Sequence, residues 1–309
     1  IHMLTDPKIA GELARMDARP PFVLSPHRFF SSDPTLRNLS IELYEPVAGL
    51  PILSPHGHVD PRLFSDPRAS FGTPADLFII PDHYVFRMLY SQGIPLEKLG
   101  KLRMDGGGAE TDHRVIWKIF CENFHLFRGT PSGIWLAQEL IDVFGITEKP
   151  TAGNADKLYD LISEKLSSSP YSPRALFDRF KIEVLCTTDA ATDTLEHHQA
   201  IKNSGWGGVI KPTFRPDAVV NLDAPRWLDS IQRLGEICGY DIKDYATFIR
   251  ALEDRRAFFQ SLGAVATDHD VQTPDTRPLS HLDADKIFQR ALRGEATRED
   301  AVRFTAHML

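Results

Sequence analysis

Between residues 181 and 270 the chain repeats one order of elements, and that order restricts the fold more than any other feature of the sequence. The β-branched run Ile182-Glu-Val-Leu-Cys-Thr187 gives way to polar Thr188-Asp189 and then to a helical stretch over 194–204. Gly207-Gly-Val-Ile-Lys-Pro212 reads as the next strand, ending in Thr213-Phe-Arg-Pro-Asp217, with helices expected over 226–238 and 245–262. Gly263-Ala-Val-Ala-Thr267 is expected as a further strand, ending in Asp268-His269-Asp270. Strands that alternate with helices imply a parallel sheet with right-handed crossovers. Polar residues at each strand's C-terminal end match the active face of a (β/α) barrel.

An earlier strand carries the chemistry. Leu50, Ile52 and Leu53 form a short apolar run followed at once by His56-Gly57-His58, with Asp60 and Arg62 next. Residues two apart in extended chain project to one side, so both imidazoles can converge on one ion, and Gly57 keeps the space between them open. A zinc-type divalent metal accepts such nitrogens, but a site needs at least one more donor and an open position. The competing reading is a pair of polar strand-end histidines.

Between these regions the pattern is helical. Apolar spacing predicts helices over 33–44, from 83 with Asp82 as N-cap, and over 115–127, 134–144 and 155–166, with a loop at Gly106-Gly107-Gly108. The chain therefore divides into a lead-in segment with the first barrel strand (1–60), a helical insertion (61–180) and further β/α units (181–309). The lead-in includes a charged helical stretch and Pro20-Pro21. A terminal helix is expected from 297, with Thr297 and Asp300 as a capping box.

Acidic residues outnumber basic ones, 42 to 35, for a net charge of -7, and no basic run is present. Nucleic acid and anionic membrane surfaces are disfavoured as partners, although local arginines can still hold an anionic substrate. Cys121, Cys186 and Cys238 are odd in number and lack a Cys-x-x-Cys pair, which suits a reducing compartment. No apolar run approaches the roughly 18 residues of a membrane span, and no signal-peptide core is visible, so the cytoplasm is expected. A homo-oligomer is compatible with the sequence.

Each remaining motif has two readings. His83 and Tyr84 fall in the first turn of a helix, where the positive dipole end disfavours protonation, so a neutral imidazole could polarise a carbonyl and Tyr84 could donate to a substrate oxygen. They could equally pack the helix start. Arg215 could hold a carboxylate in its planar fork, or pair with Asp217. Asp268 and His269 could reach a metal or orient its ligands, or lie in an exposed loop with Asp270. Thr188 and Asp189 could orient ligands, whereas His197 and His198 diverge as neighbours on a helix. Gly106 to Gly108 lacks the strand-helix context of a phosphate loop, which disfavours a nucleotide site.

Taken in order, SPHGHVDP at 54–61, PDHYVFRMLYSQG at 81–93, FRGTPS at 127–132, RALFDRF at 174–180, LEHH at 195–198 and FRPDA at 214–218 resemble the uronate isomerases. That family belongs to the amidohydrolase superfamily, and the resemblance implies its α/β (β/α)8 TIM-barrel fold, with a helical insertion after the first strand. It also implies interconversion of D-glucuronate with D-fructuronate and of D-galacturonate with D-tagaturonate in hexuronate breakdown, with a divalent metal, often zinc. By that resemblance His56 and His58 match metal ligands, and His83, Tyr84 and Arg215 match substrate-site residues. The family's fifth strand with its histidine motif, and its eighth ending in Asp and Arg, have no counterpart before Leu309. The eighth-strand Asp, a metal ligand and proton-transfer group, is therefore assigned to no residue. About four barrel strands are expected, and such an open sheet should aggregate, dimerise or need a partner segment.

Two rivals follow from the same residues. The superfamily also contains metal-dependent hydrolases, many with a modified lysine at the fourth strand's end, where this chain has Ala266-Thr267-Asp268-His269. A non-catalytic metal- or sugar-acid-binding fragment is the other.

Overall fold

The computed structural model describes residues 22–309, so the charged stretch and Pro20-Pro21 lie outside the described residues. Two compact units form. One runs up to Gly49 and resumes over Ser70–Ser172, and the other joins Leu50–Ala69 to Pro173–Leu309.

The first unit is helical. Its helix Pro34–Tyr44 starts where Asp33 accepts from the Thr35 and Leu36 amides, and it buries no residue. The helices Pro74–Phe78, His83–Ser91, His113–Glu122 and Ala155–Leu166 supply apolar side chains to one core. Trp117, Phe120, Phe127 and Leu140 are fully buried there, each worth roughly 1.5–3 kcal/mol of transfer free energy. The Trp117 indole N–H donates to the Ala155 carbonyl at 3.0 Å, which removes the cost of burying it. The helix expected over 134–144 starts earlier, at Pro131, because Thr130 accepts from the Gly133 amide and proline tolerates the first turn. It then widens to a π turn over Glu139–Val143.

The second unit is α/β with parallel strands. β1 (Ile52–Ser54) pairs with β2 (Ile182–Cys186), with Leu53 opposite Val184. After β2 comes the two-residue β3 (Asp189–Ala190), and β2 itself pairs with β4 (Val209–Lys211), Leu185 opposite Ile210. β3 pairs with β5 (Phe214–Arg215), also in parallel.

The strand expected over 207–212 is thus shortened to Val209–Lys211, because Pro212 has no N–H to donate, and a further two-residue strand forms beyond it at Phe214. The strand expected at Gly263–Thr267 is reduced to one bridge. The Phe214 amide donates to the Ala266 carbonyl at 3.3 Å, and the Asp268 amide donates to the Phe214 carbonyl at 3.0 Å. β5 is bracketed by Pro212 and Pro216, so it offers too few amides for a longer ladder. No strand occurs between Ser54 and Ile182 among the described residues, and no described helix is long and apolar enough to cross a membrane.

The helices Trp227–Cys238, Tyr245–Ser261, His281–Leu292 and Arg298–Met308 share a core in which the Phe248 ring stacks on Phe288 at 4.9 Å and Phe288 on Phe304 at 6.0 Å. The expected capping box forms: the Thr297 side chain accepts from the Asp300 amide, and the Asp300 carboxylate accepts from the Thr297 amide.

Asp300 also takes both Nε and Nη2 of Arg290, at 3.1 and 2.5 Å, and this pairing first, then the capping bonds, holds its carboxyl down at about 2. A carboxylate whose folded-state pKa is depressed contributes stability above its unfolded pKa and loses it as pH falls through the folded one. Stability should therefore decline between about pH 4 and pH 2. Arg290→Met should flatten that part of a pH series of urea midpoints; an unchanged slope would show that Arg290 does not act through Asp300.

Candidate active site

β1 delivers the first two site residues. The chain leaves the sheet at Ser54, turns through Pro55, and sets His56 and His58 on either side of Gly57. A Cβ on Gly57 would stand 3.1 Å from the Cys186 carbonyl at the end of β2, so glycine allows the two strand ends this close approach. The imidazoles converge: Nε2 of His56 lies 3.1 Å from Nε2 of His58, with the rings nearly perpendicular at 84°. Two nitrogens bound tetrahedrally to zinc at about 2.0–2.1 Å would be roughly 3.3 Å apart, so the pair fits two positions on such an ion. Among the described residues no group of three or more His, Cys, Asp or Glu side chains is arranged to hold a metal.

Asp268 joins the pair to Arg215. Its Oδ2 is buried with no hydrogen-bond partner, 3.6 Å from Nδ1 of His56 and 3.5 Å from Nε of Arg215. The Arg215 Nε donates to Asp217 Oδ2 at 3.0 Å, while Asp217 Oδ1 accepts from the Asp270 amide at 2.9 Å. Asp217 thereby fixes both the guanidinium and the loop after Thr267. The ion pair with Asp217 uses Nε alone, and no hydrogen bond forms from the terminal nitrogens of Arg215 among the described residues. Those nitrogens remain able to meet a carboxylate. Among the described residues His269 has no hydrogen bond or ring contact with either imidazole. It lines a separate cavity with Phe214, Pro216 and Met308, and its Nδ1 is buried without a partner.

Behind the histidines lies a buried polar cluster. Thr187 Oγ1 is 2.7 Å from Asp189 Oδ2 and 2.8 Å from His198 Nε2, and Asp189 Oδ2 also accepts from the Thr213 amide at 3.2 Å. Burial pushes His198 down, keeping it neutral, and pushes the Asp189 carboxyl up against the opposing bond from Thr187. His198 thus belongs to the interior, whereas its neighbour His197 meets Ser65 Oγ at 3.1 Å. Adjacent helix positions do diverge, as expected, but which one turns inward depends on tertiary packing that the sequence does not display. Thr188, between the buried Thr187 and Asp189, has Oγ1 2.8 Å from the Gly57 carbonyl and 3.0 Å from His58 Nδ1.

In the helical unit, His83 and Tyr84 begin the helix His83–Ser91, which Asp82 caps by accepting from the Tyr84 and Val85 amides. Their rings lie 4.2 Å apart, and Tyr84 meets the edge of Trp135 at 6.2 Å. Tyr84 is 56 % exposed, so its hydroxyl is available to a ligand.

Comparison with known proteins adds a consistent set of relatives. The sequence profile of the family described as glucuronate isomerase matches residues 27–309. The uronate isomerase of Nostoc punctiforme is 52% identical over 286 residues, covering 93% of this chain and 60% of that protein. That of Rhizobium meliloti is 46% identical over 287 residues, covering 93% of this chain and 61% of that protein. Among solved structures, the glucuronate isomerase from Caulobacter crescentus superposes with a TM-score of 0.90 at 42% identity, covering 94% of this chain and 60% of that one. The uronate isomerase from Thermotoga maritima gives 0.82 at 25% identity, covering 93% and 60%. The chain spans about 60% of the length of the relatives it matches.

Proposed function

Since the chain belongs to the glucuronate isomerase family, we propose that it carries the histidine pair and the carboxylate-binding arginine of a uronate isomerase. The reaction would interconvert D-glucuronate with D-fructuronate and D-galacturonate with D-tagaturonate. One observation carries this reading: a single buried carboxylate oxygen, Asp268 Oδ2, has the converging His56–His58 pair on one side and Arg215 on the other. A uronate offers matching chemistry, with vicinal oxygens at one end and a carboxylate at the other. The parallel strands are read as part of a (β/α)8 barrel of the amidohydrolase superfamily, and the helices between Ser54 and Ile182 as an insertion. The cytoplasm is the proposed location.

In this reaction a base removes the proton from C2, an enediol forms, and the proton returns to C1. Arg215, steadied through Nε by Asp217, would present its terminal nitrogens to the substrate carboxylate and so select uronates over neutral sugars. His83, in the first turn of the helix His83–Ser91, would polarise the carbonyl oxygen, and the Tyr84 hydroxyl would donate to a neighbouring oxygen as negative charge develops. His56 and His58 would hold a divalent metal, proposed as zinc, and Asp268 would steady His56 from its Nδ1 side. Bound there, the metal would supply Lewis-acid polarisation and orientation of substrate oxygens. The C2 base is not assigned to a residue of this chain.

The test is kinetic, in a protein of its relatives' length that carries these residues, with D-glucuronate conversion followed by ketose formation. Arg215→Lys should raise KM roughly 10- to 100-fold, because it removes a charged bond worth about 1.5–3 kcal/mol that is made to the bound substrate. Tyr84→Phe should instead lower kcat. A lysine variant that keeps its KM and loses turnover would remove Arg215 from the carboxylate.

A further inference from the structure

We propose that the Thr188 hydroxyl holds His58 in the tautomer whose proton sits on Nδ1, leaving its Nε2 as a bare lone pair aimed at His56. Thr188 is then a positioning residue for the metal pair, an inference that rests on reading His56 and His58 as metal ligands. Counting protons fixes the tautomer. A threonine hydroxyl has one hydrogen to give and two lone pairs to receive. The Gly57 carbonyl, 2.8 Å from Thr188 Oγ1, can only accept, so the hydroxyl hydrogen is committed to it. The contact of 3.0 Å between Thr188 Oγ1 and His58 Nδ1 must therefore run the other way, with the ring N–H donating to the hydroxyl oxygen. A neutral imidazole carries one proton, so Nε2 of His58 is an acceptor.

The same count explains the short contact between the rings. Two bare nitrogens 3.1 Å apart would repel, so without a cation His56 must donate from Nε2 to His58 Nε2. When His56 serves as a ligand its proton belongs instead on Nδ1, which faces the unpartnered Asp268 Oδ2 at 3.6 Å. His58 is thus preset by Thr188, and His56 alone exchanges tautomers.

The hydroxyl is well anchored for this task. Thr187 and Asp189 on either side of Thr188 are 1% and 5% exposed and are bonded to each other. Gly57 supplies both the close approach to β2 and the carbonyl that fixes the direction of the hydroxyl.

The experiment uses the 309-residue protein with 15N-labelled histidine, stripped of metal, and reads the ring tautomers from long-range proton–nitrogen spectra, with His58→Asn assigning the resonance. Wild-type His58 should show the Nδ1–H pattern. Thr188→Val, which keeps the shape and deletes the hydroxyl, should shift it toward Nε2–H, and Thr188→Ser should restore it. Zinc affinity, measured by chelator competition, should fall roughly 10- to 100-fold in the valine variant and recover in the serine one, as loss of a ligand-orienting group does. An Nε2–H pattern in the wild type, which needs no variant to fold, would overturn the proposal. So would a valine variant with unchanged tautomer and zinc affinity. If His56→Asn and His58→Asn leave zinc binding intact while Thr188→Val still shifts His58, the metal reading fails and the tautomer assignment stands.

Discussion

His56→Asn and His58→Asn are each expected to weaken zinc binding by more than about 100-fold, since removing a ligand should exceed the 10- to 100-fold cost of removing a group that only orients one. Both side chains are exposed at the end of β1, and neither lies in an apolar core. Their replacement should accordingly leave folding stability within about 0.5 kcal/mol of wild type. That separation makes the result interpretable, because lost zinc cannot then be attributed to lost structure. Zinc stoichiometry after gel filtration, with unfolding midpoints measured alongside, checks both halves. Unchanged stoichiometry in both single variants would leave the convergence of the rings without a metal to explain it.

Gly133→Ala is the largest expected effect on stability. A Cβ at Gly133 would stand 2.0 Å from the Phe127 carbonyl oxygen, well inside any tolerable contact. That carbonyl cannot simply swing away, because it accepts from the Thr130 hydroxyl at 2.7 Å and from the Thr130 amide at 3.1 Å. Thr130 in turn caps the helix Pro131–Gln138, which carries Trp135 against Tyr84. Overpacking of this kind costs about 1–3 kcal/mol and more where backbone must move, so about 3 kcal/mol or above is expected. Gly108→Ala is the control: nothing lies within 4 Å of its Cβ position, and its effect should stay within about 0.5 kcal/mol. Equal urea midpoints for the two variants would contradict the assigned packing.

How much of this was legible in the sequence depends on whether the determinant is local. The helix Ala155–Leu166 was readable to its ends because its apolar stripe repeats at helical spacing, and the Asp82 and Thr297 caps were readable because a cap is a contact over two or three residues. The helix His281–Leu292 is not among the expected helices, even though Ser280 caps it by accepting from the Asp283 amide in the same way. Strand lengths were not readable. A β-branched run marks where a strand can form, but its ladder ends where the neighbour stops offering amides, as Pro212 and Pro216 show around β5.

Within the candidate site the same division holds. His56, His58, Arg215 and Asp268 stand out as strand-end residues, and the fold gathers them in one unit. His83 and Tyr84 stand at a helix start, as the Asp82 cap before them implies. The role of Asp217 as a clamp on both Arg215 and the Asp270 amide joins segments 53 residues apart, and spacing alone gives no sign of it. The inward turn of His198 toward Thr187 is likewise a consequence of packing, since its sequence neighbour His197 has the same chemistry and a different environment.

A crystal structure of the zinc-loaded protein with D-glucuronate, with anomalous scattering collected at the zinc edge, tests the proposed site most directly. The expected result is a zinc peak bonded to Nε2 of both His56 and His58 at about 2.0–2.1 Å, with the uronate carboxylate on the terminal nitrogens of Arg215. Zinc bound elsewhere, imidazoles turned apart, or a carboxylate held away from Arg215 would contradict the account.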